Sequence, residues 1–165
     1  MKMAWAVLAA LMTGPVLAQG PAAPVPPVAP APPYGAPIGL AAAQAMVDSA
    51  LAVARARGFR MAVAVVEPSG ELVAFARMDD TQYGSILVAQ KKARTAARYR
   101  LPTATLEQRT MAGRIVSLAN DDALPIAGGQ PILVNGRIVG AVGVSGAAAS
   151  EDDEVARAAL AGARR

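Results

Sequence analysis

Cysteine and histidine are both absent from this chain, and aromatic residues make up only 4% of its 165 positions. Without cysteine there is no disulfide framework, no thiol chemistry and no residue for lipid attachment behind an export signal. Without histidine there is no Ser-His or Cys-His nucleophile pair and no imidazole proton shuttle. Zinc sites of the His/Cys type are excluded as well. The formal net charge is only +4. Nucleic-acid binding ordinarily needs basic patches interleaved with aromatics, so that class is excluded too. Carboxylate, lysine, arginine, tyrosine and backbone chemistry remain.

What is present begins with Lys2 followed by an uncharged run from Ala4 to Met12, and Val16-Leu17-Ala18 supplies small residues ahead of Gln19. This is the order of a cleavable export signal, with cleavage expected after Ala18. The apolar run is shorter than the roughly 18 to 20 residues that span a bilayer and is broken by Gly14-Pro15, so no stable membrane anchor is expected after cleavage. The expected location is periplasmic or secreted. From Gln19 to Pro37 the composition turns to Pro, Ala and Val, with eight of the thirteen prolines in nineteen residues and no charge. Proline fixes φ and removes donors, which predicts an extended polyproline spacer over 19–37. Residues 38–165 then suffice for one domain with its own core.

Within that domain, apolar residues from Leu40 to Ala54 recur at helical spacing and end at Arg55-Ala56-Arg57-Gly58. Met61 to Val66 and Leu72 to Met78 flank Glu67-Pro68-Ser69-Gly70 and read as a hairpin whose first strand is buried on both faces. Asp79-Asp80-Thr81 offers N-cap oxygens for a second helix ending near Leu101-Pro102, and a third helix is expected over Thr105 to Ile115. A second hairpin joins Ile132-Leu133-Val134 to Arg137–Val144 through Asn135-Gly136. Ser150-Glu151-Asp152-Asp153 should cap a terminal helix. The predicted fold is α+β: an antiparallel sheet of two hairpins with helices packed on it.

Several side chains invite a chemical reading. The glycines from Gly136 to Gly146 match neither a dinucleotide nor a P-loop spacing. They are better read as close backbone approach in a packed strand, except at Ser145-Gly146, where the strand leaves the sheet. Lys91, Arg94 and Arg98 share one helical face and read as solvated cations, or as partners for the acidic start of another subunit's last helix. Lys92 lies beside the buried alanine stripe and must snorkel or find an anion. Arg77-Met78-Asp79 stands where a strand gives way to a helix, a rim where ligand groups collect. Asp121-Asp122 and Glu151 to Glu154 are explained better by capping and solvation than by acid/base work.

Val65-Val66-Glu67-Pro68-Ser69-Gly70, Arg77-Met78-Asp79, Ala89 with Lys92-Ala93-Arg94-Thr95-Ala96, Gly128-Gly129-Gln130-Pro131-Ile132, Gly140 to Gly146 and Glu151-Asp152 form an ordered set. In that order the chain resembles the GlcG/HbpS-like family of haem-binding or haem-degrading domains, from Leu40 to Ala161. The resemblance implies a profilin- or PAS-like sandwich, homo-oligomeric assembly, and binding of haem or another tetrapyrrole without an assured catalytic role. The ligand-binding residues expected on this basis are Arg77, Met78, Asp79, Tyr83, Lys92, Gly128, Gly129 and Ser145. Lys92 or Arg77 would pair the propionates. Two departures stand out. Asp80-Thr81 replaces the family's usual Gly-Ala, and an axial histidine is impossible, which leaves Met78, Met111, Tyr83, Tyr99 or a lysine for iron. An enzyme or enzyme accessory acting on a small organic acid, and a purely structural oligomer, are the rival readings.

Overall fold

In the computed structural model, which describes residues 30–162, four helices and a four-stranded sheet alternate as the sequence predicts. The elements are α1 (Leu40–Ala56), β1 (Ala62–Val66), β2 (Leu72–Arg77), α2 (Gly84–Tyr99), α3 (Thr103–Met111), β3 (Gly129–Val134), β4 (Arg137–Ser145) and α4 (Ala149–Gly162). A short 3-10 turn over Ile115–Ala119 follows α3. The sheet order is β2-β1-β4-β3 and every pairing between these strands is antiparallel, so two hairpins meet at β1 and β4. No helix of the described residues is long and apolar enough to cross a membrane. The export signal lies outside the described residues, as does the spacer up to residue 29.

Period-two alternation decides what each face of the sheet packs against. Val63 and Val65 of β1 join Val142 and Val144 of β4 under α1 and α4. Ala62, Ala64 and Val66 face the other way, against Ala89, Ala93, Ala96 and Ala97 of α2. Central β1 is therefore buried at all five positions, which is why it reads as an unbroken apolar run. The α2 face uses alanine and glycine because the helix lies almost on the strand. A Cβ built on Gly143 would stand 2.1 Å from the carbonyl oxygen of Ala89. The glycine run is thus a packing surface, as its spacing suggests.

Three boundaries differ from the sequence reading. Helix α2 begins at Gly84, and Asp79-Asp80-Thr81 does not cap it. These residues instead form a turn closed by Thr81 N–H donating to the Met78 carbonyl, with Asp80 at φ 61. Helix α3 starts two residues earlier than expected and gives way after Met111 to the irregular stretch containing the 3-10 turn. Ser150 lies inside α4, and the start of that helix is secured from behind. Asp152 Oδ1 accepts from Ala147 N–H at 3.0 Å and Glu151 Oε2 from Ala148 N–H at 3.0 Å.

The last residues of the proline-rich segment belong to the domain. Beyond Val66, β1 no longer covers β4, and the backbone of Ile138 and Val139 needs other partners. Ile138 N–H donates to Pro33 O, while Gly35 and Ile38 N–H donate to Ile138 O and Val139 O. Tyr34 forms a parallel bridge with Ile138. Its hydroxyl reaches the carbonyls of Ala97 and Arg98, at 3.2 and 3.0 Å, which the end of α2 leaves without helical donors. Tyr34→Phe is expected to lower stability by about 1 kcal/mol, the net worth of an ordinary hydrogen bond. Urea unfolding of the two proteins measures it.

Candidate functional site

The eight residues singled out by the sequence fall into two groups joined by one strand register. Arg77 of β2 and Ser145 of β4 both pair with Ala62 of β1, so they flank it on the face that α2 covers. Ser145 is buried there, its hydroxyl donating to Ser85 Oγ at 3.2 Å. Arg77 sits at the outer edge, with Met78, Asp79 and Tyr83 following in the turn. Lys92, Gly128 and Gly129 lie apart, in the interior at the start of β3.

The interior group is an ion pair in a glycine-lined passage. Lys92, only 1% exposed, extends from α2 past the end of β3 to donate to Asp152 Oδ2 of α4 at 2.7 Å and to Val144 O at 3.1 Å. The pair ties the two helical layers together. Gly128 makes room for it, because a Cβ there would stand 2.9 Å from both Lys92 Nζ and Asp152 Cβ. Gly129 lies under the backbone of Lys92 and donates its N–H to Thr103 Oγ1 at 2.8 Å. Burial pushes the Asp152 carboxyl above the usual aspartate range, against the opposing pull of Lys92 and of the Ala147 and Gly146 amides. Lys92 thus finds its anion inside the chain, and neither it nor the two glycines reaches an open cavity.

Asp152 is the partner that sequence reasoning missed, and Asp153 beside it is buried as well. Asp153 accepts from Gln130 Nε2 at 2.7 Å and pairs with Arg157. The acidic start of α4 therefore does cap the helix, through Glu151 and Asp152, but Asp152 and Asp153 are internal rather than solvated. Charges on the outer face of α2 also find partners within the chain. Arg94 pairs with Glu71 at 2.6 Å, and Arg98 pairs with Asp122 at 2.6 Å while donating to the Ser69 carbonyl.

The rim group is open. Arg77 lies over the Tyr83 ring, 5.0 Å from its centroid, and its Nη1 makes a long 3.4 Å contact with the Thr81 carbonyl. Two adjoining hollows share Arg77, Asp79 and Asp80. One, of about 590 Å³, also includes Thr81, Gln82 and Tyr83; the other, of about 510 Å³, includes Arg55, Arg60 and Met78. Tyr83 is 81% exposed; Leu87, one turn further along α2, is exposed too but lines a separate hollow with Val66, Leu72 and Arg94. A cation, a phenol and two carboxylates thus share one open, largely polar surface. Asp80 explains how this chain manages without the glycine its motif suggests: aspartate is among the few residues that tolerate positive φ.

A further cavity of about 360 Å³ lies between the docked segment, α1 and β3, walled by Ile38, Ala42, Met46, Ile132, Val139 and Leu160 among others. Among the described residues no charged or polar side chain lines it, so only backbone groups there could orient a polar ligand. Among the described residues no three acidic side chains converge to hold a metal ion.

Comparison with known proteins adds the following. A family model described as "Haem degrading protein HbpS-like" matches residues 38–161. Protein GlcG of Escherichia coli K12 is 36% identical over 103 residues, which cover 62% of this chain and 77% of that protein. The crystal structure of a double mutant of HbpS from Streptomyces reticuli superposes with TM-score 0.72 at 31% identity, covering 86% of this chain and 97% of the other. The crystal structure of a PduOC:heme complex shares the fold, with TM-score 0.69 at 23% identity over 76% of this chain and 94% of that one.

Proposed function

The chain belongs to the HbpS-like family of haem-degrading proteins, and from that premise we propose that it is an exported, non-catalytic binding module for haem or a related tetrapyrrole, working as a homo-oligomer in the periplasm or outside the cell. The observation that carries this reading is the rim. Arg77 stacks on the exposed Tyr83 ring, with no carboxylate of the described residues within ion-pairing distance of the guanidinium. A tetrapyrrole has a flat disc edged by carboxylates, and this surface offers an exposed aromatic ring for the disc and a cation for the carboxylates. The solved PduOC:heme complex, of the same fold, supports the ligand class.

The donors available for iron fit the reading in one respect. Met78 packs against the core, Tyr99 accepts from the Asn120 side chain, and Met111 is exposed at the end of α3 and lines neither rim hollow. Of the sequence-derived candidates, Tyr83 lines one hollow beside Arg77 and Met78 the other, and a phenolate oxygen and a thioether are both known haem ligand types. A flat site open on one side gains from a second wall, which a second copy would supply. The missing cysteines and histidines support a binding role over a catalytic one. The uncharged run after Lys2 supports export.

Titration with haemin, followed by the Soret band, tests the function. Saturable binding is expected, with Arg77→Gln weakening it about tenfold, the effect of losing one charge-assisted hydrogen bond of roughly 1.5 kcal/mol. Absence of any saturable change would remove haem as the ligand.

A further inference from the structure

Three arginines line one hollow, and none has an ion-pair partner among the described residues. Arg55 stands in the last turn of α1, Arg60 just before β1, and Arg77 at the end of β2. Met78 N–H donates to the Met61 carbonyl, which holds the end of β2 against the start of β1 and so sets Arg60 close to the turn. Elsewhere Arg57, Arg94, Arg98 and Arg157 each pair with a carboxylate. Arg55, Arg60 and Arg77 pair with none among the described residues, although Asp79 and Asp80 line the same hollow. Three cations against two carboxylates leave it one positive charge in excess.

A second observation is independent of charge. Thr81, only 4% exposed, lines the adjoining hollow with Arg77, and its hydroxyl has no hydrogen-bond partner among the described residues. A buried hydroxyl left unsatisfied costs about 1 to 3 kcal/mol. A ligand oxygen admitted by a small shift of the turn would relieve that penalty, and an oxygen bound by Thr81 would also lie near Arg77, whose guanidinium already contacts the Thr81 carbonyl.

We propose that this surface is a dicarboxylate clamp. Arg77 and the Thr81 hydroxyl hold one carboxylate, and Arg55 and Arg60 hold the second. Guanidinium forks suit carboxylates, and the threonine hydroxyl adds a donor that a longer or bulkier side chain could not place in the turn. The proposal rests on the rim being the ligand site, as in the preceding reading, and specifies which part of the ligand is recognised. Free dicarboxylates and the paired propionates of a tetrapyrrole share this chemistry.

Calorimetric titration with glutarate and its dimethyl ester, and Soret titration with haemin and haemin dimethyl ester, separate the sources. The diacid of each pair is expected to bind at least tenfold more tightly than its diester. Thr81→Val is expected to weaken diacid binding about tenfold while raising the unfolding temperature, because it removes an unsatisfied buried hydroxyl. Thr81→Ser should retain affinity, and Arg60→Gln should weaken it without loss of fold. Diesters binding as well as diacids, or unchanged affinity in Thr81→Val, would overturn the clamp. If haemin and its diester bind equally and glutarate does not bind, the clamp falls and the haem reading stands. If glutarate binds and haemin does not, the haem reading falls and the clamp stands.

Discussion

Replacing Lys92 by methionine is expected to lower stability by about 3 to 5 kcal/mol at neutral pH, because it strands a buried carboxylate. Asp152 is 2% exposed, and Lys92 is its only cationic partner among the described residues. The loss should depend on pH with a definite sign. Burial already raises the Asp152 carboxyl, with Lys92 foremost among the influences that lower it. Removing Lys92 raises it further. A folded-state value above the unfolded one means that the native state binds the proton more readily, so stability falls as pH rises through the interval between the two. The deficit relative to wild type should therefore narrow as pH is lowered from neutral towards the unfolded aspartate value. Denaturant titrations of both proteins at pH 7 and pH 5 measure it; a deficit that widens on acidification would contradict the argument. Replacing both partners, Lys92→Met with Asp152→Asn, should recover part of the loss, because no charge is then stranded and the amide oxygen still accepts from Ala147 N–H.

The second large effect is expected at Gly143. A Cβ there would stand 2.1 Å from the Ala89 carbonyl oxygen, 2.5 Å from Ala93 N and 3.0 Å from Ala93 Cβ. Two of these atoms are helix backbone, which no rotamer change can move. Gly143→Ala must lift α2 off the sheet, and α2 carries Lys92 and Ser85 as well as the alanine stripe. A loss of about 3 kcal/mol, the upper end for overpacking a core, is expected. The urea midpoint measures it. Gly136→Ala, at the hairpin turn, makes a useful contrast: nothing lies within 4 Å of its Cβ position, so only the positive φ opposes the change.

Much of the fold was legible because the strongest local signals agreed with the packing. Asn135-Gly136 marks the β3–β4 turn, with Asn135 at φ 50 and Gly136 at φ 71. The alanine stripe of α2 and the unbroken run of β1 likewise announce their burial. The boundaries that slipped were those where tertiary contacts override local chemistry. Asp79-Asp80-Thr81 has the composition of a cap but is drawn into a turn against Met78. The docked Pro33–Ile38 segment carries no pattern of its own, because what fixes it is the exposed backbone of Ile138 and Val139.

The site was legible in part. Arg77, Met78, Asp79 and Tyr83 are neighbours in sequence, so finding the turn meant finding the rim. Lys92 was recognised as a lysine in need of an anion, but Asp152 lies sixty positions away, and no spacing rule links them. Arg55 and Arg60 were hidden for the same reason. They belong to the end of one helix and the start of a strand, and only the β1–β2 register brings them beside Arg77. Thr81 gave one clue, its departure from the family pattern, but its significance depends on burial without a hydrogen-bond partner.

The location of the ligand is the point on which the functional reading turns, and paramagnetic mapping tests it most directly. Ferric haemin added to the ¹⁵N-labelled protein broadens the amide signals nearest the iron. The expected result is loss of signal centred on Arg77 to Leu87, reaching Arg55 and Arg60. Broadening centred instead on Ala42, Met46, Ile132 and Leu160, around the apolar cavity, or spread evenly over the surface, would contradict the rim as the binding site.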